Sequence, residues 1–268
     1  YGGNVRSFAV SGKTLFAGTN VGVFRSSDDG NFWTEANTGL TNRNVYALTV
    51  SGATVFAGTA SGGIFRSSDN GNTWTEVNTG LSSSGGKNIY TLTVSGSTIY
   101  AGTSSGVYHS TDDGATWIRG FWDLTNKTIN VLGVSGTTVF AGSGRDGVFR
   151  LMNDGNSWMQ VNVGLTNLDV RAFAESGGTL FVGTLDSGVY RSSDNGTTWT
   201  AVNTGLTNLR IWELTASGTS IFAGTGKGIF RSEDNGNTWT QVNIDMNVQG
   251  VGAFIVKDTV VFAGISGG

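Results

Sequence analysis

Phe65-Arg66-Ser67-Ser68-Asp69-Asn70-Gly71-Asn72-Thr73-Trp74-Thr75-Glu76-Val77-Asn78-Thr79-Gly80-Leu81 is the stretch that decides the fold, because it occurs six times along the chain, five times nearly intact. Its tryptophans are Trp33, Trp74, Trp117, Trp158, Trp199 and Trp239, separated by 41, 43, 41, 41 and 40 residues. A repeat of that length, with turn residues at fixed offsets, is the signature of a small sheet stacked on copies of itself.

Working outward from the second copy gives the unit. Val45–Val50 reads as a first strand, Ser51-Gly52-Ala53 as a turn and Thr54–Thr59 as a second strand. Gly63–Ser67 is a third strand, Asp69-Asn70-Gly71 a turn and Trp74–Val77 a fourth strand. The runs are short, rich in β-branched and aromatic residues and bounded by Gly, Asn or Asp, which leaves no room for a helix. The first two strands are apolar or small on both faces and the fourth alternates, so the first should line a central channel and the fourth should face solvent. The expected fold is therefore all-β, a propeller of four-stranded antiparallel blades forming a single domain over residues 1–268.

Units start near 4, 44, 88, 129, 170 and 211, and residues 251–268 add a first and second strand only. Seven inner strands favour a seven-bladed propeller with an incomplete last blade; the alternative is six blades plus an extra hairpin. An incomplete blade leaves the strand around Val261 as an open edge, suited to strand exchange, to oligomer formation or to pairing with sequence beyond Gly268 or before Tyr1. The chain opens at Tyr1 without a leader, which reads as a mature or excised product.

Composition narrows the function classes. The chain has 268 residues with 43 Gly, no Pro, no Cys, one His and a formal net charge of −3. No Lys/Arg cluster argues for nucleic acid, no apolar run spans a membrane, and no thiolate site is available. With His109 alone, neither a histidine metal site nor a His-based triad can be built. The hydroxyl-rich, Lys-poor composition points to a secreted or periplasmic protein without cofactor or metal.

The third turn follows Ser-x-Asp-x-Gly-x-Thr-Trp: Ser67, Asp69, Gly71, Thr73 and Trp74 in the second unit, and likewise around Asp112, Asp194 and Asp234. In the first unit Asp28 fits but Phe32 replaces Thr; in the fourth, Leu151 and Asn153 replace Ser and Asp. The carboxylate should fold back onto backbone N–H groups, with Gly taking the left-handed conformation and Trp lying as an apolar plate on the sheet. A calcium loop needs roughly six to eight converging oxygens, more than these turns carry. This motif resembles the Asp box of the bacterial neuraminidase repeat, and the chain resembles that superfamily of β-propellers over essentially its whole length. It looks more like the non-catalytic secreted repeat proteins of that group than like its sialidases. The resemblance implies fold and not chemistry.

Arg25, Arg66, Arg150, Arg191 and Arg231 recur on the third strand, with His109 in the third unit. The resemblance to sialidases suggests an arginine triad, but one arginine per unit reads as structural, for example pairing with Glu35 or Glu76 on the adjacent strand. The resemblance would also require an Arg-Ile-Pro motif, and there is no Pro. A glycosidase would need two carboxylates roughly 5 to 9 Å apart. The candidates are Asp123, Asp146, Asp169, Asp186, Glu213 and Asp245, with Asp146 and Asp186 in equivalent loops.

The copies differ most at the second residue of the first strand: Arg6, Tyr46, Tyr90, Asn130, Arg171, Trp212 and Gly252. Nearby loops carry Arg43, Lys87, Lys127, Asp169 and Arg210, and Trp122 sits in an irregular loop. Aromatic plates beside Arg and Asn at a concave mouth suit carbohydrate. The expectation is a non-catalytic, lectin-like binding protein whose candidate ligand residues are Arg6, Tyr46, Tyr90, Asn130, Arg171 and Trp212. The alternatives are a protein-interaction or scaffold module and a glycoside hydrolase.

Overall fold

The computed structural model describes residues 3–82, 85–120, 124–153, 155, 157–242 and 250–265. The chain divides into two compact units, residues 1–132 and 133–267. In the first lie β1 Val5–Ser11, β2 Thr14–Thr19, β3 Gly22–Ser26 and β4 Thr34–Glu35, then β5 Val45–Ser51, β6 Thr54–Thr59, β7 Gly63–Ser67 and β8 Thr75–Glu76. They are followed by β9 Ile89–Ser95, β10 Thr98–Thr103, β11 Gly106–Ser110 and β12 Ile118–Arg119, and β13 Ile129–Ser135 crosses the boundary. The second unit continues with β14 Thr138–Ser143, β15 Val148–Leu151 and β16 Trp158–Gln160, then β17 Val170–Ser176, β18 Thr179–Thr184, β19 Val189–Ser192 and β20 Thr200–Ala201. It ends with β21 Ile211–Ser217, β22 Ser220–Thr225, β23 Gly228–Ser232, β24 Thr240–Gln241, β25 Val251–Lys257 and β26 Val260–Ile265.

Among the described residues consecutive strands pair, giving six four-stranded sheets and one two-stranded sheet, β25-β26. The all-β expectation holds as six antiparallel propeller blades, which is the six-bladed alternative. The seven-bladed expectation is met only in part, because the last unit forms a hairpin. The fourth strands are shorter than their sequence suggested: β8 keeps only Thr75 and Glu76, both exposed, and Trp74 precedes it.

The core lies between successive sheets. Phe16, Val23 and Ala36 of one sheet pack with Val45, Leu48, Phe65 and Trp74 of the next, and a second cluster joins Phe56 and Val77 to Ile89, Ile99 and Trp117. In the second unit Phe181 and Val202 pack with Ile211, Phe230 and Trp239. Close approach explains the Ala-Gly-Thr ending of the second strands. A Cβ on Gly58 would lie 2.4 Å from Ile89 Cγ2, so any side chain there would push the neighbouring sheet away.

The Ser-x-Asp-x-Gly turn works as its chemistry suggested. Ser67 Oγ donates to Asp69 Oδ1 at 2.8 Å, Thr73 N–H donates to the same oxygen at 2.9 Å, and Thr73 Oγ1 donates to Oδ2 at 2.6 Å. Asn70 and Gly71 both take left-handed backbone, at φ of 59° and 79°. These bonds favour the ionised carboxylate, and Asp69, Asp112, Asp194 and Asp234 are each lowered to about 2, the threonine hydroxyl being the largest cause. The first turn lacks that hydroxyl, because Phe32 stands in its place and is 68% exposed.

The turn also clasps the preceding sheet. Trp74 Nε1 donates to Ala36 O at 2.8 Å and Trp117 Nε1 to Val77 O at 2.9 Å; in the second unit Trp199 and Trp239 donate to Val161 O and Val202 O, each at 2.8 Å. The third-strand arginines meet the same turns. Arg25 and Arg66 donate to the carbonyls of Asn70 and Asp113, and Arg150 and Arg191 to those of Asn195 and Asn235. Their role is structural, but the expected partners are corrected: Glu76 instead faces Lys87 at 3.7 Å, and Glu35 accepts from Asn37. A flat guanidinium reaches a backbone acceptor in the next sheet more readily than it turns back along its own.

Two outcomes test this account. Trp117→Phe keeps the apolar plate but leaves the buried Val77 carbonyl unpaired, so unfolding in urea should show a loss of about 1–3 kcal/mol. The lowered Asp pKa values mean that the turns contribute fully above about pH 4 and lose that contribution as pH falls toward about 2. The thermal midpoint should fall across that window, and Asp69→Asn should flatten part of the fall.

Candidate functional site

Five of the six candidate residues share a backbone feature that sequence could not reveal. In β5, Val45 pairs with Thr59 and Ala47 with Gly58, so Tyr46 is the extra residue of a bulge. The same register shift places Arg6, Tyr90, Arg171, Trp212 and Gly252 in bulges of their own first strands. A bulged residue leaves the ladder and its side chain is re-aimed. The most variable position of the repeat is thus the one whose side chain the sheet does not need.

In the first unit the structure brings three of these side chains together. The Arg6 guanidinium carbon lies 4.3 Å from the Tyr46 ring centre, within cation–π range, and Tyr46 meets Tyr90 edge-on at 5.7 Å and 74°. Arg6 Nη1 donates to Asn44 Oδ1 at 2.7 Å, which fixes the guanidinium over the ring. Asn44 was not among the expected site residues. Its only sequence signal is its place just before the first strand. Asn130 holds the equivalent position on β13 and is half-buried. All of these side chains are half-buried.

The second unit differs. Arg171 is clamped by Asp169 through two bonds, Nε to Oδ1 at 2.6 Å and Nη2 to Oδ2 at 2.8 Å. Trp212 is exposed, with the Arg210 guanidinium 5.9 Å from its ring centre; Arg210 is held in turn by Asp186 at 3.1 Å. The expected loop carboxylates Asp169 and Asp186 are thereby committed to arginines. Trp122, Asp123 and Asp245 lie outside the described residues.

Glu213, beside Trp212, behaves differently from the other acids. The residue is half-buried, but its carboxyl sits deep enough that burial pushes its pKa up to about 8, opposed only by the Leu214 N–H. It is therefore a neutral acid at pH 7. At its position the other first strands carry Ser7, Ala47, Thr91, Val131, Ala172 and Ala253, none of them ionisable, and Ser7 and Thr91 accept the N–H groups of Leu48 and Leu132 in the next first strand. Among the described residues no group of three His, Cys, Asp or Glu is gathered as a metal site, and no helix is long and apolar enough to cross a membrane.

Sheet order, bulged first strands and clasping turns define a β-propeller domain, and comparison with known proteins agrees. The chain belongs to the DUF6242 β-propeller domain family, whose model matches residues 2–130 and again 124–258. Among solved structures it is similar to the extracellular domain of the putative one-component system BT4673 from B. thetaiotaomicron (TM-score 0.83, 16% identity, 98% of this chain and 37% of that chain). It is also similar to the Niastella koreensis GH74 enzyme (TM-score 0.70, 21% identity, 88% and 46%) and to YCF48 bound to D1 peptide (TM-score 0.80, 14% identity, 98% and 91%). The chain thus spans less than half the length of the first two. No curated protein matches it in sequence.

Because Glu213 is held neutral by the fold, it opposes stability increasingly as pH rises from about 4.5 toward about 8. Glu213→Gln should melt like the parent near pH 4.5 and a few degrees higher at pH 8, as read by circular dichroism.

Proposed function

We propose that this chain is a non-catalytic, secreted or periplasmic propeller of the Asp-box type that binds carbohydrate through the bulged residues of its first strands. The observation that carries the reading is the row Arg6–Tyr46–Tyr90, a guanidinium and two rings in mutual contact and only half-buried. Aromatic faces suit the C–H faces of a sugar ring, and the fixed guanidinium supplies directional donors to its hydroxyls. Trp212, exposed beside Arg210, offers a second plate of the same kind in the other unit. Export is supported by the likeness to an extracellular domain.

The non-catalytic reading rests on the state of the acids. Asp169 and Asp186 are tied to arginines, which leaves neither of them free to act as nucleophile or base. The likeness to GH74 enzymes is one of fold alone at this identity. A second reading, recognition of a protein segment through the same residues, is favoured by one neighbour that is bound to a peptide.

Glycan-array screening followed by calorimetry tests the proposal. Tyr46→Ala and Tyr90→Ala should each weaken glycan binding at least tenfold, and Trp212→Ala should weaken it where its plate is used, with thermal midpoints close to the parent's. Turnover of any array glycan would remove the non-catalytic reading, and binding untouched by all three changes would remove the site.

A further inference from the structure

The first carboxylate turn departs from the others at a single position, and the change acts on two groups at once. Thr73, Thr116, Thr198 and Thr238 each donate their hydroxyl to the second carboxylate oxygen of the turn aspartate at 2.6 Å. In the first turn Phe32 stands at that position. Its N–H still donates to Asp28 Oδ1 at 2.9 Å, and Ser26 Oγ donates to the same oxygen at 2.7 Å, which holds Asp28 below the ordinary carboxylate range. Among the described residues no donor reaches Asp28 Oδ2. An ionised oxygen with two lone pairs is left open.

The ring that takes the place of the hydroxyl is 68% exposed and lines, together with Asp28, a groove of about 390 Å³. Thr14 and Arg25 of the same sheet and Asn70 and Asn72 of the next turn complete its walls. The walls are fixed to each other: Arg25 Nη1 donates to Asn70 O at 2.7 Å, and Asn70 Nδ2 donates to Thr14 Oγ1 at 3.0 Å. Arg25 keeps its other guanidinium donors uncommitted. The exposure belongs to this position of the repeat, because Thr73 and Thr116 are exposed too, although their turns are docked on a preceding sheet through the buried Trp74 and Trp117.

We propose that this groove is a second carbohydrate site, which takes one neutral hexopyranose ring on Phe32. One guanidinium and one carboxylate balance in charge, so the lining favours neither an acidic nor a basic ligand. A pyranose carries an apolar C–H face for the phenyl ring and vicinal hydroxyls around its edge. One hydroxyl donates to Asp28 Oδ2, making from outside the bond that the threonine hydroxyl makes in the other turns, and its neighbour accepts from Arg25. A galactoside fits best, since its axial O4 leaves one ring face as unbroken C–H. The site shares no residue with the row Arg6–Tyr46–Tyr90 and stands whether or not that row binds.

The test is a nuclear magnetic resonance titration of the ¹⁵N-labelled chain with methyl β-galactoside, methyl α-mannoside and methyl β-N-acetylglucosaminide, with glycerol as a polyol that has no ring face. The expected result is saturable movement of the Phe32 and Asn72 backbone amides in the millimolar range with at least the galactoside, and none with glycerol. Phe32→Thr installs the residue that the other turns carry, so it should fold normally. It should weaken this binding at least tenfold and leave the thermal midpoint equal to or above the parent's. Three results would each overturn the proposal: no saturable movement at these amides with any of the three glycosides, equal movement in Phe32→Thr, or equal movement with glycerol. Movement confined to the first-strand residues would place the binding at the row Arg6–Tyr46–Tyr90 and overturn this site while sparing that one.

Discussion

The indole N–H of one sheet reaching the backbone carbonyl of the sheet before it, Trp74 to Ala36 and its three counterparts, is the interaction on which the rest depends. A four-stranded sheet of this length cannot bury two faces alone, so each must borrow a face from a neighbour. Tryptophan supplies the largest apolar plate available, and its single donor makes the docking directional. The arginine-to-carbonyl bond at the same turn adds a second fixed point. Two points at the outer edge, with the Gly58–Ile89 type of close contact at the inner strands, prevent neighbouring sheets from sliding over one another.

With the frame held this way, the second residue of each bulged first strand is released from structural duty. The bulge takes it out of the ladder, and the sheets lose nothing when it becomes Arg, Tyr, Trp or Gly. The consequences differ by unit. Arg6 is held over Tyr46 by an amide, which preserves its charge, whereas Arg171 is neutralised by Asp169 at the same position. Glu213, one residue further on, shows the opposite pressure. A carboxyl placed where Ser7 and Thr91 serve as acceptors is forced to keep its proton.

The neutral Glu213 and the deeply ionised Asp69 are both carboxyls in the same repeat, separated by what surrounds them. Asp69 gathers two hydroxyl donors and a backbone N–H at the surface. Glu213 has burial and one N–H. Carboxyl chemistry in this fold is therefore set by position within the unit and not by residue type.

What the sequence alone determined is the repeat: the 41-residue spacing of its tryptophans, the four strands per unit and the carboxylate turn, all of which depend on residues near one another in the chain. It could not name the partner of Arg66, because a backbone carbonyl 47 residues away carries no side-chain signature. Nor could it show that Tyr46 sits in a bulge, since the shift appears only when Val45 and Ala47 are matched to Thr59 and Gly58. Variation marked Arg6, Tyr46 and Tyr90 as worth attention, but their contact arises between strands about forty residues apart. Local turn and strand chemistry is written in neighbouring residues. Contacts between sheets are settled only when packing decides which surfaces meet.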